Sequence, residues 1–217
     1  RHAQIALLVK AADKVDWKTA ILLGYYTGAR LGDCVNMRWE NIDLSKGTIS
    51  YTPHKTPTTE DGEVTVVEVP IHPDLAAHLG TLTRGRPEAY LCPSLAGKES
   101  GGEHGLSQNF KKIMTTAGID SEKSKGKGKQ EFSKLSFHSL RHSFNSALTN
   151  AGVDQETRMK LTGHKSKVVN SGNTHHELEP LKAAISKLPS LAEGKKENVQ
   201  FADDNPPKTD AGNSHES

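Results

Sequence analysis

Two arginines, a lysine and two histidines stand where a phosphate diester could be gripped: Arg30, Lys55, His138, Arg141 and His164. Arg30 follows the glycine of Y-Y-T-G-A-R-L-G-D at the entry to a short helical pattern, where unsatisfied backbone N–H groups also favour an anion. Taken alone, it would be a helix-start residue pairing with Asp33. Lys55, in H-K-T, sits where a strand pattern gives way to a turn, so its long ammonium arm can swing. His138 and Arg141 lie three apart on a helix whose apolar face is Leu140, Phe144 and Leu148, which lets both project from one side, away from the core. Guanidinium groups offer forked donors to phosphate oxygens, and lysine and histidine can move protons. The set suits fixing and neutralising a phosphate diester.

A metal site is the competing chemistry. His142 is four residues from His138, but H-x-x-x-H here lacks the glutamate of H-E-x-x-H, so no metal is expected. The polar stretch L-T-G-H-K-S-K-V-V-N-S-G-N-T-H-H-E-L-E-P, 161–180, has a structural reading of its own. Thr174 and Glu177 form a capping box for a helix carrying Leu178, Leu181, Ala184, Ile185 and Leu188. That reading leaves Gly163-His164 unexplained.

Several elements must position these residues. Trp17, Ala20, Ile21, Gly24 and Tyr25 recur at helical spacing, with Thr27-Gly28 as the stop. A second short helix is expected from Leu31 to Trp39. The period then changes: G-T-I-S-Y-T-P-H-K-T and E-V-T-V-V-E-V-P-I alternate, and predict an antiparallel hairpin or three-stranded meander over 47–71. Helical patterns return at Leu75–Leu82 and Leu106–Ala117. Another begins near His138 and closes at Gly152, and a short one follows with Asp154 as its N-cap. Between them, 121–134 carries Lys123, Lys125, Lys127, Lys129 and Lys134 among Gly and Ser. It reads either as a solvated loop or as a flexible arm tracking phosphates. The fold class is mainly α with a small antiparallel β-sheet (α+β).

Composition sets the outer bounds. Apolar residues are 34% and aromatic residues 5%, low for 217 residues, so part of the length is expected to lie outside the core. The stretch 190–217 lacks periodicity and reads as a disordered polar tail, which leaves a folded body over 1–189. The tail holds three Lys against six Asp or Glu, so the body carries +5 where the whole chain carries +2, a balance that permits nucleic acid without requiring it. Cys34 and Cys92 have no C-x-x-C spacing and read as reduced thiols. No signal peptide or membrane-length apolar run is visible, so the expected compartment is the cytoplasm. The chain opens on Arg1 inside a helical pattern and reads as a fragment.

The order T-G-A-R-L-G-D, Lys in a β-turn, H-S-L-R-H and L-T-G-H resembles the catalytic domain of tyrosine recombinases, the phage-type integrases, over roughly residues 15–188. Each motif is weak alone; four in order are specific. The resemblance implies a mostly helical domain of bacterial or phage origin that clamps double-stranded DNA. It also implies a homotetramer on DNA, a monomer in isolation, and a further N-terminal DNA-binding domain not in this chain. By motif, Arg30 and Arg141 resemble the arginines that bind the scissile phosphate, and Lys55 the general acid for the leaving 5′ oxygen. His138 resembles a proton-transfer and phosphate-contacting residue, His164 one that orients the phosphate, and Asp33 an acidic residue that supports the first arginine. No metal or cofactor is implied, because the resemblance implies that the bond energy is kept in a covalent phosphotyrosyl link.

One position departs from that pattern. The family's tyrosine lies about nine residues beyond G-H and before Thr-His, which here is Asn173, preceding Thr174-His175. Tyr25, Tyr26, Tyr51 and Tyr90 all lie far upstream. An amide cannot form the phosphotyrosyl bond, so the chain is expected to bind DNA without cleaving it. Three readings stand: a recombinase domain inactivated at one residue, a naturally non-cleaving DNA-binding accessory protein, and a type IB topoisomerase-like enzyme.

Overall fold

The computed structural model describes residues 2–58, 62, 64–102, 105–119, 123–125, 131–133, 135–163 and 178–191, with only the backbone of 123–125 and 131–133. Helix α1 (His2–Ala11) leads into α2 (Val15–Thr27). In α2 every residue from Asp16 to Thr27 except Lys18 is buried, so the helix is enclosed on all sides and forms the axis of the core. Trp17, Ile21, Leu23, Tyr25 and Tyr26 give it side chains for every neighbour. Gly24 lets a later stretch of chain approach: a Cβ there would stand 2.7 Å from the Phe137 ring.

After α2 come α3 (Leu31–Val35) and a 3-10 turn over Trp39–Asn41. The helix expected through Trp39 stops at Val35. Asn36 ends it, donating its side-chain amide to the Gly32 carbonyl at 2.8 Å and accepting from the Gly97 amide at 2.9 Å. Strands β1 (Ile42–Asp43), β2 (Thr48–Tyr51) and β3 (Val67–Pro70) form an antiparallel sheet in that order, with Ile42 opposite Ile49 and Ile49 opposite Val69. The expected meander is present, with its first strand earlier than the alternation showed.

Helices α4 (Pro73–Thr81) and α5 (Leu106–Thr116) follow, α5 burying Leu106, Phe110, Ile113 and Met114. Then β4 (Lys123–Lys125) pairs antiparallel with β5 (Glu131–Ser133), so Lys123 and Lys125 of the lysine run stand on a two-stranded ribbon. Helices α6 (His138–Asn150), α7 (Gln155–Thr162) and α8 (Leu178–Ser186) complete the described body. Asp154 caps α7 as expected, accepting from the Thr157 amide at 2.9 Å. Thr174 and Glu177 lie outside the described residues. The α8 stripe folds onto its own body, with Ala184, Ile185 and Leu188 buried and Leu181 packed beside them.

A polar clasp holds the end of that segment, and contacts run past residue 189. The Asp74 carboxylate accepts from the Tyr26 hydroxyl at 2.8 Å, the Ser190 hydroxyl at 2.7 Å and the Leu191 amide at 2.5 Å. His72, stacked on Tyr26 with ring centroids 4.2 Å apart, meets the Leu188 carbonyl at 3.1 Å. His2 meets the Ser190 carbonyl at 2.8 Å, which joins the first helix to the end of the described chain. Cys34 and Cys92 are buried free thiols. No helix among the described residues is long and apolar enough to cross a membrane.

Candidate active site

The site is built where two helices end. Helix α2 stops because Gly28 takes a left-handed conformation (φ 67°), and α7 stops the same way at Gly163 (φ 64°). A helix C-terminus leaves carbonyls without intrahelical partners and carries partial negative charge. Arg141 answers both ends at once. Its guanidinium donates to the Gly28 carbonyl at 2.7 Å and to the Thr162 carbonyl at 2.6 Å. At 7% exposure it is buried, not projecting away from the core as the helical spacing suggested. The two T-G helix stops are the sequence signal for this arrangement. Neither carbonyl was legible as a partner, because a backbone acceptor has no side chain to read.

Both glycines are also steric requirements. A Cβ at Gly28 would come within 2.8 Å of Phe144, and one at Gly163 within 2.5 Å of Val67. The closed turn at Gly28 delivers Arg30 to the N-cap of α3 in an extended conformation (φ −74°, ψ 158°). With only five residues, α3 lends little dipole to an anion, so Arg30 must supply most of the charge itself.

Lys55 is exposed in the turn that follows β2, closed by the Thr56 amide on the Pro53 carbonyl at 3.2 Å. That turn is tied to α3: the His54 amide donates to the Asp33 carboxylate at 2.9 Å. Among the described residues no ion pair joins Asp33 to Arg30. Asp33 instead fixes the turn bearing Lys55, a role the sequence did not indicate.

His138 opens α6 on the exposed side and gathers the cluster. Partial burial, and then the charges of His142, Arg141, Arg30 and Lys55, hold its pKa below the ordinary histidine value. Elements 83 or more residues apart in sequence therefore converge on one imidazole. Burial and then the Arg30 charge likewise lower the Arg141 pKa, opposed by Tyr51, Asp33 and Cys34. Tyr51 is driven up by burial, with Cys34 and Asp33 adding to the rise and Arg141 and Arg30 opposing it.

The His138 and His142 rings meet edge to face at 4.8 Å. Among the described residues no group of three or more His, Cys, Asp or Glu could hold a metal ion. His164, Asn173, Lys127 and Lys129 lie outside the described residues, and Lys123 and Lys125 are described only as backbone in β4.

A model of the phage integrase family matches residues 1–177. The chain belongs to that family. The integrase domain is similar in fold to the integrase from mycobacterium phage Brujita, with TM-score 0.56 and 21% identity over 87% of this chain and 56% of that one. It also resembles XerA recombinase, with TM-score 0.53 and 16% identity over 83% of this chain and 62% of that one. The integrase domain thus spans less than two thirds of either solved chain. A comparison with curated proteins gave no significant match.

Proposed function

We propose that this chain is the DNA-binding catalytic domain of a site-specific tyrosine recombinase, and that as it stands it holds duplex DNA without cutting it. The observation that carries the reading is the convergence of Arg30, Lys55 and Arg141 on His138, from three separate stretches of chain. A scissile phosphate in that cluster is neutralised by the two arginines. Burial and then the neighbouring charges lower the His138 pKa, and the arriving negative charge favours its taking a proton. Once a nucleophile is restored to attack the phosphate and displace the 5′ oxygen, Lys55 protonates that leaving oxygen. His164 orients the phosphate by its place in the L-T-G-H motif. The lysines of the β4–β5 ribbon track the neighbouring backbone. Strand exchange requires a homotetramer, while the isolated domain is monomeric. Asn173 removes the nucleophile and leaves the positioning groups, which supply most of phosphoryl-transfer catalysis.

The test restores the phenol. Duplexes bound by the chain are first selected from a random-sequence library, then rebuilt as nicked suicide substrates. The Asn173→Tyr variant should form a covalent protein–DNA adduct that survives denaturation, and adding Arg141→Lys should cut its yield by about 100-fold or more. Asn173 also favours a second reading, a non-cleaving accessory protein. Selected duplexes that bind the Asn173→Tyr variant without any adduct would establish that reading over the first.

A further inference from the structure

Between α1, α5 and α6 lies an open cavity of about 360 Å³ that the cationic cluster does not use. Ile5, Leu8, Phe110 and Leu140 form its apolar floor, and His142 and Ser143 stand at its edge. The volume falls within the range of pockets that take small ligands, about 300–1,000 Å³. The described chain ends beside it. The Ser190 carbonyl is 2.8 Å from His2, and Ile5 and Leu8 follow His2 on the same helix, about 4.5 and 9 Å along its axis. Residues 192–217 carry two large apolar side chains, Val199 and Phe201, followed closely by Asp203 and Asp204.

We propose that the segment Val199–Phe201 docks into this cavity of its own chain, with the Phe201 ring on the apolar floor. Reach is ample: the ten residues from Leu191 to Phe201 span up to about 35 Å. Charge also favours this occupant. Phe201 in the cavity sets Asp203 and Asp204 beside His142, whose ring touches His138 of the cationic cluster. The docked tail then competes with phosphate for that cluster, a consequence that rests on the proposed DNA-binding role; the docking itself does not.

The full 217-residue chain carrying Ser143→Cys and Phe201→Cys, held in a glutathione redox buffer, tests the docking. Cys34 and Cys92 are buried and stay out of the exchange. The expected result is an intrachain disulfide between positions 143 and 201, at monomer mass and confirmed by peptide mapping. A disulfide-linked dimer overturns the proposal in favour of a second copy. A yield no greater than that of Ser143→Cys with Lys208→Cys overturns docking altogether. Masking is read separately by Phe201→Ser in the otherwise natural chain, which should tighten duplex binding about threefold to tenfold at low salt. Unchanged affinity overturns the masking. If neither chain binds duplex DNA, the functional reading has failed, and the disulfide still decides the docking.

Discussion

Arg141 has two duties that a mutational scan would confuse. Its guanidinium closes the C-terminal ends of α2 and α7 from a buried position, so removing it takes a charge-assisted bond from each of two carbonyls whatever happens to DNA. We expect Arg141→Ala to cost about 2–4 kcal/mol in urea unfolding, because each buried acceptor loses a charge-assisted bond. Arg141→Lys should recover only part of this, since an ammonium cannot fork to two carbonyls. Loss of DNA binding in either variant therefore has to be measured at a temperature where the variant is still folded. His138 offers a cleaner handle. Its pKa lies below the ordinary value of about 6.5 in the free protein, and a phosphate placed beside it pulls that value up. Binding should therefore take up protons and tighten as pH falls from 7.5 toward 6. Calorimetry in buffers of different ionisation enthalpy measures the uptake, and His138→Gln should remove its share.

At the scale of elements, the helices declared themselves where their ends did. Thr27-Gly28 and Asp154 were legible because a left-handed glycine and an N-cap are local chemistry. The burial stripe of α8 was legible from period alone. Four features were not. Helix α3 ends early because of the Asn36 side chain, whose second partner is 61 residues away. The β4–β5 ribbon was hidden because K-S-K and E-F-S are too short to show a period. Asp33 read as a support for Arg30 because the two are neighbours in sequence, whereas its partner is an amide 21 residues on. The clasp around Asp74 was likewise invisible, with Ser190 116 residues distant. Burial raises the Asp74 carboxyl, but bonds from Ser190, Tyr26 and Leu191 outweigh it and hold the pKa below the usual range. Asp74→Ala should loosen the end of α8, costing about 1–3 kcal/mol and exposing the 186–191 stretch to protease. Protection equal to the natural chain would show that the α8 stripe holds that stretch without the clasp.

The whole molecule carries its positive charge unevenly, with +5 on residues 1–189 and an acidic remainder. If Arg30, Lys55, Arg141 and the ribbon lysines all meet phosphates, about four to eight charges are neutralised. Duplex binding should then weaken with a log–log salt slope of about −4 to −7. Deleting 123–129 should flatten that slope, and an identical slope would take the ribbon out of the interface. The contact between His2 and the Ser190 carbonyl has a different consequence. It makes the described fold a nearly closed ring, with residues 188 apart in sequence meeting at 2.8 Å. A ring can be opened elsewhere. A circular permutant joining residue 191 to residue 2 through about six Gly and Ser residues, and cut between the exposed Gly101 and Gly102, should fold with a Tm within about 5 °C of residues 2–191 expressed linearly.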